Sequence, residues 1–217
     1  MALDAKHGSR FYGAILACRL RLRRHRRVPG VGLVADALFA WYSHAGKPAR
    51  TKLHGYPALL NPGNRYPFIV QDTRYFNAPL IELVNQVHRA KGSAVTLVDV
   101  GASVGDSVFL LKRNCPGQVA RFLCVEGDPE FCTLLRANMA QFRDVRLIET
   151  LLARQPSRIR SLVKHHQGTA ASLGNEFLAA TNLDSIAEIR DQRVDVVKID
   201  GHNLPAVLSR SPSKLPL

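Results

Sequence analysis

Positions 98–107 of the chain read VDVGASVGDS. A short apolar run, VTLVDV, turns at Gly101 and opens into an amphipathic segment. The pattern predicts a strand, a tight glycine turn and a helix N-terminus, an arrangement that receives nucleoside-type cofactors. A dinucleotide fingerprint places glycine at the first, third and sixth positions of such a turn, where the pyrophosphate backs onto helix amides. Those positions hold Gly101, Ser103 and Asp106. A carboxylate at the sixth position repels pyrophosphate and crowds the helix against its strand. A cofactor with no phosphate and a positive sulfonium meets neither penalty, and S-adenosyl-L-methionine is that cofactor. The next apolar run, ARFLCVE, ends in Glu126, 25 positions after Gly101. A carboxylate there can accept hydrogen bonds from both ribose hydroxyls. Any doubly wound protein can nevertheless carry a glycine after its first strand and an acid after its second.

Five blocks of sequence extend the pattern: NPGNRYPFIV at 61–70 with the following YFNAPLIELV, the VDVGASVGDS turn, CVEGDPEF at 124–131, GTAASL at 168–173 and VDVVKIDGH at 194–202. On these blocks the chain resembles the FkbM-type methyltransferases, a family of class I S-adenosylmethionine-dependent enzymes. The resemblance implies a Rossmann-like doubly wound α/β sheet of the class I methyltransferase type. It also implies that Asp99, Gly101, Ser103 and Gly105 face the methionine and sulfonium part of the cofactor. Glu126 would hold the ribose, Asp128 would lie beside the adenosine, and Asp200 would stand on the rim where cofactor and acceptor meet. Ser103 replaces the family's usual Asn or Gly. Asp200 runs straight into Gly201, where the family usually has two more residues.

The family continues past the KID strand with three further strands, but only 17 residues follow Asp200 here. The expectation is a sheet truncated after its fourth strand, with an open edge that invites pairing with a partner chain. A shifted reading frame, a completing partner and a degenerate domain all remain open.

The elements that must position these residues begin near position 75. Residues 1–75 form a basic and turn-rich accessory region, with Pro48, Gly55, Pro57, Pro62, Gly63 and Pro67 clustered in its second half. Residues 76–217 alternate strand and helix patterns and form the methyltransferase-type domain, incomplete at its C-terminus. Asn77 as cap, Pro79 as an early proline and Gly92 as stop agree on one helix through Leu80, Ile81, Val84 and Val87. Further helices are expected at 109–112 and 131–139, with strands at 145–149 and 194–199.

The chain has 217 residues, 46% of them hydrophobic, which supports a globular core. Its net charge is +13, and six arginines (Arg19, Arg21, Arg23, Arg24, Arg26 and Arg27) fall within nine positions. The run reads either as a solvated, poorly ordered arm or as a contact for anionic lipid or nucleic acid. The apolar stretch at 11–20 before it could lie as a helix on a membrane surface. It is too short to span a bilayer, and its charges follow rather than precede it. A cytoplasmic location, membrane-peripheral through the arm, is the expectation. The four cysteines, at 18, 115, 124 and 132, lack the paired spacing of zinc or redox sites and read as reduced thiols.

Other constellations carry less. His165 and His166 are adjacent and point apart, which fits a surface loop better than a metal pair. His202 follows the presumed acceptor rim, where an imidazole could take a proton from a hydroxyl, or else it is a loop histidine. Asn61-Pro62 resembles the start of the catalytic motif of amino-group methyltransferases but precedes the first strand instead of following the fourth. Three functional readings result: an O-methyltransferase acting on a small molecule or sugar, a nucleic-acid methyltransferase using the basic arm, and a degenerate cofactor-binding domain. Nothing in the sequence speaks for methylation of a nucleic-acid base.

Overall fold

A computed structural model of the chain describes residues 10–23, 30–44, 47–72, 76–153, 157–164 and 171–199. Two helices open it, α1 (Arg10–Arg23) and α2 (Val31–His44), followed by a hairpin of β1 (Ala49–Leu53) and β2 (Tyr56–Leu60). The hairpin turns on His54 and Gly55, both at positive φ (49° and 95°), as a two-residue primed turn requires. The next turn is built by Asn61-Pro62-Gly63-Asn64. Proline pre-sets its second position, Gly63 takes φ 76°, and Asn64 N donates to Asn61 O at 3.2 Å. Asn61-Pro62 is therefore a turn-former here. Then come α3 (Tyr66–Asp72) and α4 (Ala78–Lys91). Helix α4 stops at Gly92, in the left-handed conformation expected of a glycine stop. Asn77 does stand at its N-cap, but at φ 60° and with no side-chain cap bond; its carbonyl accepts from Leu80 N and Ile81 N instead.

The second part supplies β3 (Val95–Val100), α5 (Asp106–Asn114), β4 (Val119–Glu126), α6 (Pro129–Met139) and β5 (Val145–Glu149). A small sheet follows, made of β6 (Leu151–Leu152), β7 (Ser157–Lys164) and β8 (Ala171–Thr181). A 3-10 turn at Leu183–Ser185 and α7 (Ala187–Arg190) lead into β9 (Val196–Ile199). The main sheet is parallel in the order β5-β4-β3-β9, so the chain switches sides between β3 and β9. That is the crevice-forming position of a doubly wound α/β fold.

Strand alternation explains why both faces of this sheet are covered. Leu97, Phe122, Cys124 and Val196 point to one side, into a core with Val84 of α4, Phe109 of α5, Leu134 and Leu135 of α6, and Leu60 of the hairpin. Val98, Val100, Leu123 and Val125 point to the other, against Leu152, Ile186 and Ile189. A fully buried Leu or Phe is worth about 2 kcal/mol. An exposed ion pair such as Arg89–Glu82 (3.2 Å) contributes at most about 1 kcal/mol. Apolar burial therefore dominates, and the fold is α/β and Rossmann-like.

The N-terminal region differs from the solvated arm of the sequence reading. Arg19, Arg21 and Arg23 lie on helix α1, while Arg24, Arg26 and Arg27 fall outside the described residues. The stretch at 11–20 turns part of its apolar side inward. Ile15 and Leu16 are buried in the same core as the main sheet, and a Cβ on Gly13 would stand 1.7 Å from the Arg50 carbonyl oxygen. Helix and hairpin backbones touch there. One continuous core thus joins the chain on both sides of residue 75. Among the described residues no helix is long and apolar enough to cross a membrane. The residues after Ile199 lie outside the description, as do His165 and His166.

Asn138 fastens the hairpin to this frame. Its side chain is buried, accepts from Leu59 N (2.6 Å) and donates to Leu59 O (2.9 Å) and Val104 O (2.8 Å). Asn138→Ala strands three buried backbone groups, so a loss of about 2–4 kcal/mol is expected in urea unfolding followed by circular dichroism. A loss below about 0.5 kcal/mol would mean the hairpin is held otherwise.

Candidate functional site

Strand β3 delivers its last residues to the middle of the sheet edge, and the turn that follows is curled by three positive-φ residues: Gly101 (77°), Ser103 (51°) and Gly105 (88°). Gly101 N and Ala102 N donate across to Val125 O, at 2.9 and 3.2 Å, which locks the start of the turn to β4. Gly105 is required by packing as well as by φ. A Cβ there would lie 2.4 Å from Met139 Cε and 3.0 Å from Leu135 Cδ1, so glycine lets α6 close on α5. Ser103 holds a left-handed conformation that costs a non-glycine residue on the order of 1 kcal/mol. Asn and Gly, its usual counterparts in the resembling family, tolerate that conformation best.

A hydrogen bond holds Ser103 in place: its N–H donates to Glu126 Oε2 at 2.8 Å. Glu126 Oε1 accepts from Gly127 N and Asp128 N, both at 2.9 Å. The carboxylate thus ties the β3–α5 turn to the β4–α6 turn and uses three of its roughly four acceptor sites. One acceptor site remains on Oε2. Burial pushes the Glu126 carboxyl above the ordinary range, and the N–H bonds from Asp128, Ser103 and Gly127 offset it only in part. Asp128, expected beside an adenosine, is the N-cap of α6: its Oδ1 accepts from Glu130 N (2.9 Å) and Phe131 N (3.1 Å).

Asp99 lies beneath the turn, fully buried and in register with Cys124 on one side and Lys198 on the other. Lys198 Nζ is 2.8 Å from Asp99 Oδ1. Asp99 Oδ2, Ser103 Oγ and Ser107 Oγ are buried with no hydrogen-bond partner. Buried polar atoms are normally satisfied, so their concentration between positions 99 and 107 marks a place built for something else. The structure brings Asp99, Gly101, Ser103, Gly105, Glu126 and Asp128 to the same end of the sheet. Asp200 and His202 lie outside the described residues.

Three contributors escaped the sequence reading. Lys198, inside the KID block, becomes visible only once β9 is registered against β3. Asn138 reads as one more helical residue until its partners, far away in sequence, are known. The third is a polar group on the accessory region: His54 Nε2 and Tyr66 Oη are 2.9 Å apart, and Asn77 hydrogen-bonds Tyr66. Burial, followed by the charge of Asp106, raises the Tyr66 phenol, and burial lowers the His54 imidazole. The block of Tyr66, at 61–70, had only been matched to a family pattern.

No family model matches this chain, and no curated protein does. Among solved structures it is similar to "a putative RNA methyltransferase PH1948 from Pyrococcus horikoshii", with 21% identity and a TM-score of 0.25. The overlap covers 31% of this chain and 34% of that one, so the chain spans about a third of that structure's length. A superposition of that extent carries no argument about function.

The Glu126 carboxyl gives a pH signature. A folded-state pKa above the unfolded value of about 4.3 means the folded protein binds the proton more tightly. Its stabilising contribution is complete at low pH and is lost as pH rises through the raised value. Relative to the non-titrating Glu126→Gln protein, wild type should lose stability as pH rises from the unfolded carboxyl value of about 4.3 through the raised folded value, read as urea midpoints of both proteins. A difference that stays flat, or grows in favour of wild type, contradicts the raised titration.

Proposed function

We propose that this chain is an S-adenosyl-L-methionine-dependent methyltransferase domain of FkbM type, acting on a hydroxyl of a small molecule or sugar. One observation carries the choice of cofactor: Ser103 N donates to Glu126 Oε2, so a turn amide that would face a pyrophosphate is already paired with a carboxylate. Asp106 adds a second acid in the first turn of α5. Two carboxylates at an α-helix N-terminus disfavour a diphosphate and tolerate a cation.

The unsatisfied atoms fit the same group. Asp99 has one carboxylate oxygen beside Lys198 and another with no donor, which suits an ammonium or sulfonium charge better than an anion. Ser103 Oγ and Ser107 Oγ offer hydroxyls that can donate to a carboxylate or accept from an amine. Glu126 keeps one acceptor site for a ribose hydroxyl. When bound, the sulfonium supplies an electrophilic methyl group for in-line transfer to oxygen. The protein's part is to hold that donor fixed while an acceptor oxygen is brought close, which is the main source of rate in such a transfer. Asp200 is assigned to the acceptor rim and His202 to the removal of the hydroxyl proton, both from the sequence pattern.

The reading predicts that Asp99→Asn weakens S-adenosyl-L-methionine binding at least about tenfold in isothermal calorimetry, because it removes the charge while keeping shape. A circular dichroism melt separates loss of binding from loss of fold. Unchanged affinity in a folded Asp99→Asn protein would remove Asp99 from the site. Radiolabelled methyl transfer to a panel of hydroxylated acceptors, with and without His202→Ala, tests the second half. Cofactor binding with no transfer to any of them would favour the degenerate domain.

A further inference from the structure

Helix α2 is apolar on its outward side as well as its inward one. Tyr42 is buried and donates its hydroxyl to Asn61 O at 3.1 Å, and Leu38 packs beside it, so these two fix which way the helix faces. On the other side Leu33 is 78% exposed, Val34 54% and Trp41 51%, and Ala37 and Ala40 are exposed between them. At 100° per residue the five fall within an arc of about 120°. A helix hydrophobic all round is ordinarily buried, and large apolar groups collected on one exposed face mark a contact surface.

Charge identifies the occupant. The first 71 residues hold twelve Lys and Arg but only two acids, Asp4 and Asp36, so they carry +10 of the chain's +13. Helix α1, which packs against α2, contributes exposed Arg10 and Arg21. A strongly basic segment that exposes aliphatic and indole side chains has the composition of one that lies in the interface of an anionic membrane. Phosphate of a nucleic acid would pair with the arginines but would leave Leu33 and Val34 in water. A second copy of the chain would bring equally basic surface against basic surface. We propose that α2 is an interfacial membrane anchor: its outward face of Leu33, Val34, Ala37 and Trp41 enters the headgroup region of an anionic bilayer, with Arg10 and Arg21 of α1 on the lipid phosphates. The surface is distinct from the helix at 11–20, whose Ile15 and Leu16 are buried in the core.

Trp41 is the chain's one tryptophan, so its fluorescence reports this contact without labelling. The full chain is titrated with phosphatidylcholine vesicles, with and without about 30% phosphatidylserine, and with vesicles carrying brominated acyl chains. The expected result is a blue shift of Trp41 emission, quenching by bromine, and binding at least about tenfold tighter to the anionic vesicles. Leu33→Glu with Val34→Glu should abolish binding at an unchanged circular dichroism spectrum, because both side chains are exposed. Arg10→Gln with Arg21→Gln should weaken it only on the anionic vesicles. Four outcomes overturn the proposal. The first is no shift at saturating anionic vesicles, and the second is binding that survives the double glutamate substitution. The third is a Trp41 shift with an RNA oligonucleotide but not with lipid. The fourth is lipid-free self-association that shifts Trp41 and is removed by the same glutamates.

Discussion

The carboxylate of Glu126 stitches the ends of β3 and β4 together by accepting from Ser103, Gly127 and Asp128, and the shape of the ligand end of the sheet follows from it. Ser103 is held at φ 51°, with its amide paired to that carboxylate. Gly105 then has to be glycine so that Met139 and Leu135 can approach α5. Asp128 is set at the start of α6, where it caps that helix. A residue that looks from its position like a ligand holder is first a structural tie, with one acceptor site left over for a ligand.

Charge on the sheet works in the same direction. Asp99 is buried in the middle of a parallel sheet, and a lone carboxylate there would be prohibitively expensive. Lys198, on the neighbouring strand and in register, makes it tolerable. The lysine reaches one oxygen and leaves the other without a donor.

Much of this arrangement was legible in sequence because it rests on local signals. Apolar runs of four to eight residues ending in glycine or an acid mark β3, β4 and β5, and the stop at Gly92 needs only a residue that accepts positive φ. What escaped rests on pairing between distant segments. The β1–β2 hairpin is masked by Pro57 and by a His54-Gly55 turn in which only the glycine is a familiar signal. Residues between 150 and 195 carry few local signals, yet they hold Leu152, Ile186 and Ile189, which cover the second face. The positions of Lys198 and Asn138 are set by register and by helix packing, so neither residue type nor spacing announces them. Asn77 is the cap residue that the sequence marks, but it caps through its carbonyl instead of its side chain.

The accessory region is part of the same body as the sheet: Ile15, Leu16, Tyr42 and Leu60 share a core with Leu97 and Phe109. It carries the His54 and Tyr66 pair and the exposed face of α2. We propose that the turn at the end of β3 is closed to a diphosphate and open to a cationic nucleoside. Paired calorimetric titrations of the wild-type chain with S-adenosylhomocysteine and with NADH test that most directly. The account predicts saturable one-to-one binding of S-adenosylhomocysteine and no heat of binding with NADH; saturable binding of NADH alone would contradict it.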